Sequence, residues 1–430
     1  MDSVTPPAAV AAAAPPSLLR HRSFVLFWGA RTSTNGAYQM QAVAVGWQLY
    51  DLTHNPLDLG LVGLMQFFPV VLFALLIGHT ADHFDRRIVA GTCQVIKALC
   101  AALFTLGTLA GWLDRPAILL LILVSGTARA FEMPAIHSIL PGIVPRSLLP
   151  RAIAASATAQ QTAIICGPAL GGFLYALGPA VVYALCTAIF VAACILISFV
   201  QGRHRAVQTK PVSVETVFAG FRYIRNNPVL LGAISLDLFA VLFGGVTALL
   251  PIYVRDILGT GPWGLGILRS APAVGALAMS VLLARHAIER RAGLLMFGTV
   301  CVFGLASTVF ALATTLTVSF AALMVYGAAD AVSVVIRQSL VQTRTPHDML
   351  GRVMSVNSMF SGSSGTLGEF RAGALAAWIG AVPSALIGGV GVIAIAVIWF
   401  GLFPSLRRIE RLTGDPVQKA AEGVAAEIAP

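Results

Sequence analysis

Ten ionisable side chains lie inside long apolar stretches of the sequence, where a charge is costly unless it has a role. We expect each to face a polar cavity or a charged partner, although Arg31 and Arg337 could instead extend their charges toward a membrane surface. The ten residues are Arg31, Lys97, Arg129, Glu132, Asp237, Arg269, Asp330, Arg337, Glu369 and Arg371.

The acidic members of this set are candidates for carrying a proton. Asp237 and Asp330 are the strongest, because a buried carboxylate without a strong partner can exchange a proton near neutral pH. The alternative for both is a satisfied polar contact. Arg129 and Glu132 are three residues apart on one helical face and can pair, either with a coupling or gating role or as a structural ion pair. Glu369 is expected to find a partner on another helix.

Polar residues at helical spacing predict the wall of a cavity. Asn35 lies four residues after Arg31 and four before Gln39, so each neighbouring pair shares a face of the first apolar segment. Hydrogen bonds between helices would explain these residues equally well. Arg269 and Arg371 complete the candidate cavity residues, and Arg371 is expected to find its partner on another helix.

The elements that carry these residues are predicted from composition. Apolar residues make up 57% of the 430 residues and charged residues 11%, whereas a soluble domain carries about 25% charged residues. A helix that crosses a bilayer needs about 20 mostly apolar residues, so the sequence predicts an all-α membrane protein. The twelve predicted transmembrane helices are 24–50, 57–79, 88–111, 116–136, 152–176, 179–201, 229–254, 262–284, 294–314, 318–340, 352–376 and 381–403.

Lysine and arginine are distributed unevenly over the predicted loops. One side of the membrane collects nearly all of them, and only Arg115 and Arg255 lie on the other side. Because basic loops stay in the cytoplasm, both termini are predicted to be cytoplasmic, in a bacterial inner membrane. The same clusters explain the net charge of +10 without a nucleic-acid partner.

A long polar connection divides the chain into two similar halves. An offset of about 201 residues places Gly167 on Gly368 and Gly172 on Gly373, as in transporters built from two parallel repeats. A segment at 213–228 could be an amphipathic helix or a plain linker. The predicted units are a disordered tail at 1–23, six-helix bundles at 24–201 and 229–403, a cytoplasmic linker at 202–228 and a cytoplasmic tail at 404–430.

The loop after the second predicted helix reads GHTADHFDRR. It resembles the signature G-x-x-x-D-R/K-x-G-R-R/K of the major facilitator superfamily: Gly78, Asp82, Arg86 and Arg87 match, and Asp85 replaces the second glycine. With segments such as RAFEMPA and LDLFAVLFGG, it is similar to the branch of the enterobactin exporter and macrolide-efflux-like proteins. The resemblance implies a major facilitator-type fold with two pseudo-symmetric six-helix bundles.

The same resemblance implies roles for single residues. The signature loop would form a cytoplasmic gate, in which Asp82 latches the two halves together when the cavity faces outward. Arg129 corresponds to an arginine that the superfamily associates with proton coupling. From the residues alone, Gly78 is predicted to let the chain pass close to a neighbouring backbone.

A glycine-rich run, GPALGG, lies in the fifth predicted helix. Gly167, Pro168, Gly171 and Gly172 are similar to the antiporter motif of the superfamily, which favours export, although Ala163 replaces an earlier glycine of that motif. Close helix packing and a proline bend are the simpler explanation of these residues.

These observations predict a secondary transporter that exports a siderophore or a drug-like molecule by proton antiport with alternating access. The chain is predicted to act as a monomer in the lipid bilayer, to use the proton gradient and no cofactor, and to hold no metal. It is not expected to be an enzyme, because no nucleotide-binding loop occurs and GSSG at 362–365 has no later histidine to serve as a base. Uptake by proton symport, and a sensor or assembly protein that transports nothing, are the alternatives.

Overall fold

The computed structural model describes residues 18–201, 214–286, 288 and 291–410, so most of both predicted tails lies outside the described residues. Within these ranges the chain is almost entirely helical and has no β-strand, which confirms the all-α fold. The helices are α1 (Arg22–Thr53), α2 (Pro56–Leu72), α3 (Ala74–His83), α4 (Arg86–Ala110), α5 (Arg115–Ile143), α6 (Leu149–Tyr175), α7 (Pro179–Ser198), α8 (Val214–Asn226), α9 (Pro228–Phe243), α10 (Leu250–Ile252), α11 (Pro262–Arg285), α12 (Ala292–Leu312), α13 (Leu316–Arg344), α14 (His347–Ile379), α15 (Ala381–Leu402) and α16 (Pro404–Arg407).

Several helices begin at a capping side chain close to a proline. Asn55 and Asn227 each precede a proline and accept hydrogen bonds from the first backbone N–H groups of α2 and α9. Asp114 caps α5 in the same way. Proline suits the first turn because the N–H that it lacks would have no partner within the helix there.

Two of the predicted helices are interrupted. The second is divided at Phe73 into α2 and α3, four residues after Pro69. The seventh ends as α9 at Phe243 and continues through a 3₁₀ turn (Val246–Leu249), α10 and a π-helical turn (Tyr253–Ile257). Two glycines separate α9 from the 3₁₀ turn, and a Cβ on Gly245 would lie 2.4 Å from the Gly368 carbonyl, so close backbone packing accounts for this break.

Eight helical segments are long and apolar enough to cross a membrane. Four further segments are long. α2, which α3 continues, is apolar but has only 17 residues because the helix breaks at Phe73. Together with α2 and α11, three more polar helices, α1, α6 and α14, make most of the contacts between the halves. An interior position explains their lower hydropathy, because a surface that faces a cavity does not need to match lipid. That these four also cross the membrane, which gives twelve, stays a prediction.

The two halves cross each other at two equivalent places. Where α6 meets α11, a Cβ on Gly172 would lie 2.5 Å from the Pro262 carbonyl oxygen. Where α2 meets α14, a Cβ on Gly373 would lie 2.6 Å from the Gly60 nitrogen. Gly373 is the repeat equivalent of Gly172 (373 − 172 = 201), and Pro262 is the repeat equivalent of Gly60 (262 − 60 = 202). Equivalent residues of the two halves therefore make equivalent contacts.

One end of the molecule is closed by an apolar core that both halves share. Val43, Tyr50 and Leu59 of the first half pack with Leu250 and Leu265 of the second. We call this the closed end. At the opposite end, α8 packs against α14 and buries Ile224, so the segment predicted as a helix or a linker is a helix from residue 214.

Candidate functional site

A cavity of about 290 Å³ lies between the halves, next to the closed end. Its wall is mainly apolar, and both halves contribute to it. Tyr38, Gln41 and Gln66 are polar residues of the wall from the first half, and Arg269 and Glu369 come from the second half. A wall with a few polar groups on an apolar surface suits a small organic molecule.

The polar groups of the first half are held in place by one another. The Tyr38 hydroxyl donates a hydrogen bond to Gln66 Oε1 at 2.5 Å. The guanidinium carbon of Arg129 lies 3.8 Å from the centre of the Tyr38 ring, a cation–π contact. Arg129 thus reaches the cavity wall through Tyr38.

Glu369 and Arg269 are the charged pair of the cavity. They interact electrostatically, but neither makes a hydrogen bond or a close ion pair with another described residue. Gly63 of α2 makes room for the carboxylate, because a Cβ there would lie 3.1 Å from Glu369 Oε2. The partner that the sequence predicts for Glu369 on another helix is therefore Arg269 of α11, at a longer range than an ion pair.

A buried ion pair forms the polar centre of the first half. Lys97 Nζ lies 2.6 Å from Glu132 Oε2, and the Gln94 amide donates to the other carboxylate oxygen at 2.6 Å and to the Thr34 hydroxyl at 2.9 Å. Phe190 covers the ammonium group, 5.0 Å from its ring centre. We name Lys97, Glu132, Gln94 and Thr34 the first-half cluster.

The predicted ion pair between Arg129 and Glu132 is wrong. Helical spacing brings the two Cβ atoms to neighbouring positions, but Glu132 turns inward to Lys97 while Arg129 lies on Tyr38. A buried carboxylate is stabilised most by a partner that is buried with it, and the Lys97 side chain is only 1% exposed.

The second half has a different polar centre. Arg337 lies 3.1 Å from Asp237 Oδ2 and also donates to Asn357 at 2.7 Å and Ser361 at 2.8 Å. Asp330 lies two helical turns from Arg337 on α13 and interacts electrostatically with Asp237 and Arg337. We name these five residues the second-half cluster.

Two expectations about this cluster need correction. Asp237 has a strong partner in Arg337, so it is the satisfied polar contact that the sequence left as the alternative. Arg337 is buried and does not extend to a surface, because Asp237, Asn357 and Ser361 hold its charge inside. Asp330, by contrast, makes no hydrogen bond or close ion pair with any other described residue.

Polar contacts join the halves at the closed end. Within the described residues, hydrogen bonds between the halves are confined to this end and the middle of the bundle. They are Tyr50 to Asp256, Arg255 to Asp51, and the Gln161 amide to the Ala273 carbonyl at 3.4 Å. The first two hold the π-helical turn against the end of α1.

The glycine-rich run of α6 is the crossing point of three helices. Gly167 and Gly171 lie against α1, where a Cβ would be 2.7 Å from the Gln39 Cβ and 2.8 Å from the Met40 Cα. The Pro168 carbonyl lies against Gly266, and Gly172 contacts the same helix, α11. Close packing therefore accounts for the three glycines of the motif.

The signature loop is tied to the first half. Asp85 accepts a hydrogen bond from the Arg87 N–H at 2.9 Å and so caps α4. Arg86 donates to the Ser138 carbonyl at 3.1 Å and Arg87 to the Val200 carbonyl at 2.6 Å. The side chain of Asp82 lies outside the described ones, so its latch role stays a prediction.

The expectation for Gly78 is wrong. It lies inside α3 and does not follow a helix end, and no described atom lies within 4 Å of the place that a Cβ would occupy. The signature therefore does not need a glycine here for close packing.

Four of the five candidate cavity residues do not line this cavity. Arg31 donates to Gln160 at 3.0 Å, and Gln39 faces Gly167. Asn35 is absent from the wall. Arg371 donates to the carbonyls of Leu242 and Phe243, where the end of α9 leaves backbone acceptors without helical partners. Arg371 therefore has its expected partner on another helix, namely the carbonyls at the end of α9, and not in the cavity.

Sequence reasoning missed Lys97 as the partner of Glu132 and the pairing at the closed end. Helical spacing finds only partners on the same helix, and Lys97 is 35 residues away from Glu132. The one available signal was that Lys97 is a lone lysine in an apolar span, which predicts a buried acidic partner.

Comparisons with known proteins agree with this architecture. The family described as transmembrane secretion effectors matches residues 11–429. The enterobactin exporter EntS of Citrobacter koseri is 26% identical over 406 residues, which cover 92% of this chain and 95% of that protein. EntS of Escherichia coli O157:H7 is also 26% identical, over 95% of this chain and 98% of its own length.

Solved structures share the fold. The nucleoside transporter NupG superimposes with a TM-score of 0.67 at 16% identity, over 89% of this chain and 99% of its own. A bacterial homologue of the iron transporter ferroportin, in an inward-facing state, has a TM-score of 0.68 at 17% identity, over 92% of this chain and 100% of its own. These likenesses confirm the fold of a major facilitator transporter.

Proposed function

Since the chain belongs to the family of transmembrane secretion effectors, we propose that it exports a small molecule across a bacterial inner membrane by alternating access, in exchange for protons. The membership makes it a multi-pass membrane protein of a transporter family and not of an enzyme family. The direction, the coupling ion and the substrate are our proposals.

The observation that carries the proposal is the cavity between the two halves. It is walled by residues of both halves, so any rocking of one half against the other changes access to it. Contacts between the halves lie at the closed end and the middle of the bundle. This arrangement supports a state in which the cavity opens only at the opposite end.

We assign the closed end to the periplasm. The opposite end carries α8 and most of the basic loop residues, which favour the cytoplasm, whereas the closed end carries Arg115 and Arg255. Both termini would then be cytoplasmic, and the state would be inward-facing. The bundles at 24–201 and 229–403 are the two bodies that we expect to move, within one monomer.

Charge balance in the second-half cluster supports proton coupling. Arg337 pairs with Asp237 and is the only cation among the described residues of the cluster, so ionisation of both Asp237 and Asp330 would leave one unbalanced negative charge. An unbalanced charge inside the protein is costly, and a proton is the smallest ion that neutralises it. We propose that Asp330 takes up and releases the transported proton and that Glu369, in the cavity wall, lets the bound substrate influence that step.

The chemistry of the wall supports a substrate with aromatic or apolar parts and a few polar groups. Tyr38 and Phe104 contribute aromatic rings to the wall, and Gln41, Gln66 and Arg269 contribute groups that can form hydrogen bonds. The relatives are named enterobactin exporters. A siderophore is therefore our first candidate substrate, and a drug-like molecule is the second.

Accumulation in proteoliposomes tests the proposal. With an acidic lumen, antiport drives enterobactin into the vesicles, whichever way the protein is inserted, because protons leave as substrate enters. With an acidic exterior, only a symporter would accumulate it. Accumulation with an acidic exterior would contradict antiport, and equal levels with and without a gradient would contradict proton coupling. Asp348→Asn, which neutralises an exposed carboxylate at the start of α14, should accumulate enterobactin like the wild type and is the matched control for Asp330→Asn.

A further inference from the structure

A second cavity, of about 530 Å³, lies at the opposite end of the molecule from the closed end. It is bounded by Arg291 before α12, Arg344 at the end of α13, and Arg407 and Arg408 at the end of α16. Among the described residues, Glu410 is the only acidic one in its wall. With four arginines and one carboxylate, the described residues of the wall carry a net charge of +3 (4 − 1 = 3).

The arginines of this wall lack partners inside the described part of the chain. None of the four forms an ion pair there, and the Nε of Arg344 is buried without a hydrogen-bond partner. Arg407 has only a cation–π contact with Phe400, at 4.8 Å. A guanidinium with unused N–H groups is a strong donor to a phosphate or a carboxylate.

Backbone contacts fix the geometry of the wall. The first N–H groups of α12 donate to chain carbonyls beyond α16: Ala292 to Glu410 at 3.3 Å and Gly293 to Ile409 at 3.0 Å. Arg291 precedes them in a left-handed conformation, with φ 55°. The two arginine-bearing segments are therefore held against each other across the cavity, and the helix N-terminus itself is already occupied.

The cavity also borders the surface that faces lipid. Leu294 lies in its wall and is 43% exposed, and Leu295 beside it is 39% exposed. An occupant would thus find basic groups on one side and a hydrocarbon surface on the other. This combination fits a phospholipid better than a soluble anion, whose outer side would lie against apolar residues.

The arginines of the signature loop, at the same end of the first half, are used differently. There, Arg86 and Arg87 donate to the Ser138 and Val200 carbonyls, and Arg87 also pairs with Asp85 at 3.5 Å. Basic residues that only keep a loop in the cytoplasm can be satisfied by the protein in this way. The arginines of the second half are grouped and left available.

We propose that this cavity binds the phosphate headgroup of an acidic phospholipid, with Arg291, Arg344, Arg407 and Arg408 as its donors. The lipid would join the ends of α12, α13 and α16 in the second half. This inference does not depend on the proposed transport activity.

Native mass spectrometry of the purified full chain tests the proposal. We expect phosphatidylglycerol to be retained and phosphatidylcholine to be lost, and the retained lipid to raise the melting temperature. Arg344→Gln should weaken binding roughly tenfold, because one charge-assisted contact is lost. Arg408→Gln, an exposed change that disturbs the fold less, should act in the same direction.

The control is Arg285→Gln, which removes an exposed charge at the same end outside the cavity. Equal losses in Arg285→Gln and Arg344→Gln would overturn the site, as would equal retention of phosphatidylcholine. In a separate experiment, inorganic phosphate and glycerol phosphate are added as competitors of the lipid. If either competes at the concentration of the lipid, a soluble anion is the ligand and the assignment to a lipid is wrong.

Discussion

The two halves contain buried charged clusters of opposite design. In the first-half cluster, one lysine meets one carboxylate, and Gln94 links that carboxylate to Thr34. In the second-half cluster, one arginine lies near two carboxylates. Arg337 pairs with Asp237, and Asp330 makes no hydrogen bond within the described residues. Counted over the named residues, the first cluster holds one cation and one carboxylate, whereas the second holds one cation and two carboxylates. Arg129, which lies on the Tyr38 ring, adds a further positive charge near Lys97.

This difference suggests a division of labour between halves that otherwise repeat each other. A buried pair of one cation and one carboxylate resists any change in charge, since removing either partner leaves a buried ion. A cluster with one carboxylate too many can alternate between two charge states at lower cost. We therefore expect the first cluster to govern stability and the second to govern coupling, and the following predictions address that contrast.

Asp330→Asn should have the largest effect on transport. The amide keeps the shape but cannot take up a proton, so accumulation in vesicles with an acidic lumen should fall to the level without a gradient. Exchange of labelled for unlabelled enterobactin at equal pH should persist, because the cavity is unchanged. Loss of both activities, with the melting temperature unaltered, would assign Asp330 to substrate binding instead.

Lys97→Met should have the largest effect on stability. It leaves Glu132 buried without its cation, which costs about 3–5 kcal/mol. The double variant Lys97→Met with Glu132→Leu should recover much of that loss, because no buried charge remains. Thermal unfolding in detergent measures both variants. A double variant that is less stable than the single one would show that the pair itself provides the stability.

Asp237→Asn should have an intermediate effect. It leaves one carboxylate for one arginine, so the second-half cluster becomes balanced like the first, at a cost in stability of about 1–3 kcal/mol. We expect gradient-driven accumulation to fall while Asp330 pairs with Arg337. Undiminished accumulation would mean that Asp237 has no part in coupling. The proposed difference in function between the two clusters would then lose support.

Thr34→Val should have the smallest effect. The isosteric change removes one neutral hydrogen bond from Gln94 and should lower stability by about 0.5–1.5 kcal/mol. Transport driven by the gradient should stay at the wild-type level, as measured in the same vesicles. A coupling defect in this variant would place the first-half cluster in the proton pathway.

The sequence predicts the helices well because lipid imposes a simple rule on length and hydropathy. The predicted span 179–201 corresponds to α7, and 381–403 to α15. The prediction from hydropathy fails at two helix breaks. In the second helix a proline lies four residues before the break, and in the seventh helix the backbone packs tightly against Gly368. Hydropathy does not report either effect.

For the candidate site, the sequence identifies charged residues inside the membrane spans but not the partners that they contact. Charges such as Asp330 and Glu369 stand out in apolar runs because their cost is local. Their partners do not, since Lys97 and Glu132, or Asp237 and Arg337, are far apart in sequence and meet only through helix packing. Helical spacing suggested Arg129 for Glu132, and the fold supplied Lys97 instead.

The most direct test of the central claim is proton movement that the substrate itself drives. Enterobactin is added outside proteoliposomes at equal pH, and a pH-sensitive dye reports the lumen. Exchange of substrate for protons predicts a lumen that becomes more alkaline with the wild type and stays unchanged with Asp330→Asn. Acidification, or an unchanged lumen pH while labelled enterobactin enters, would contradict it.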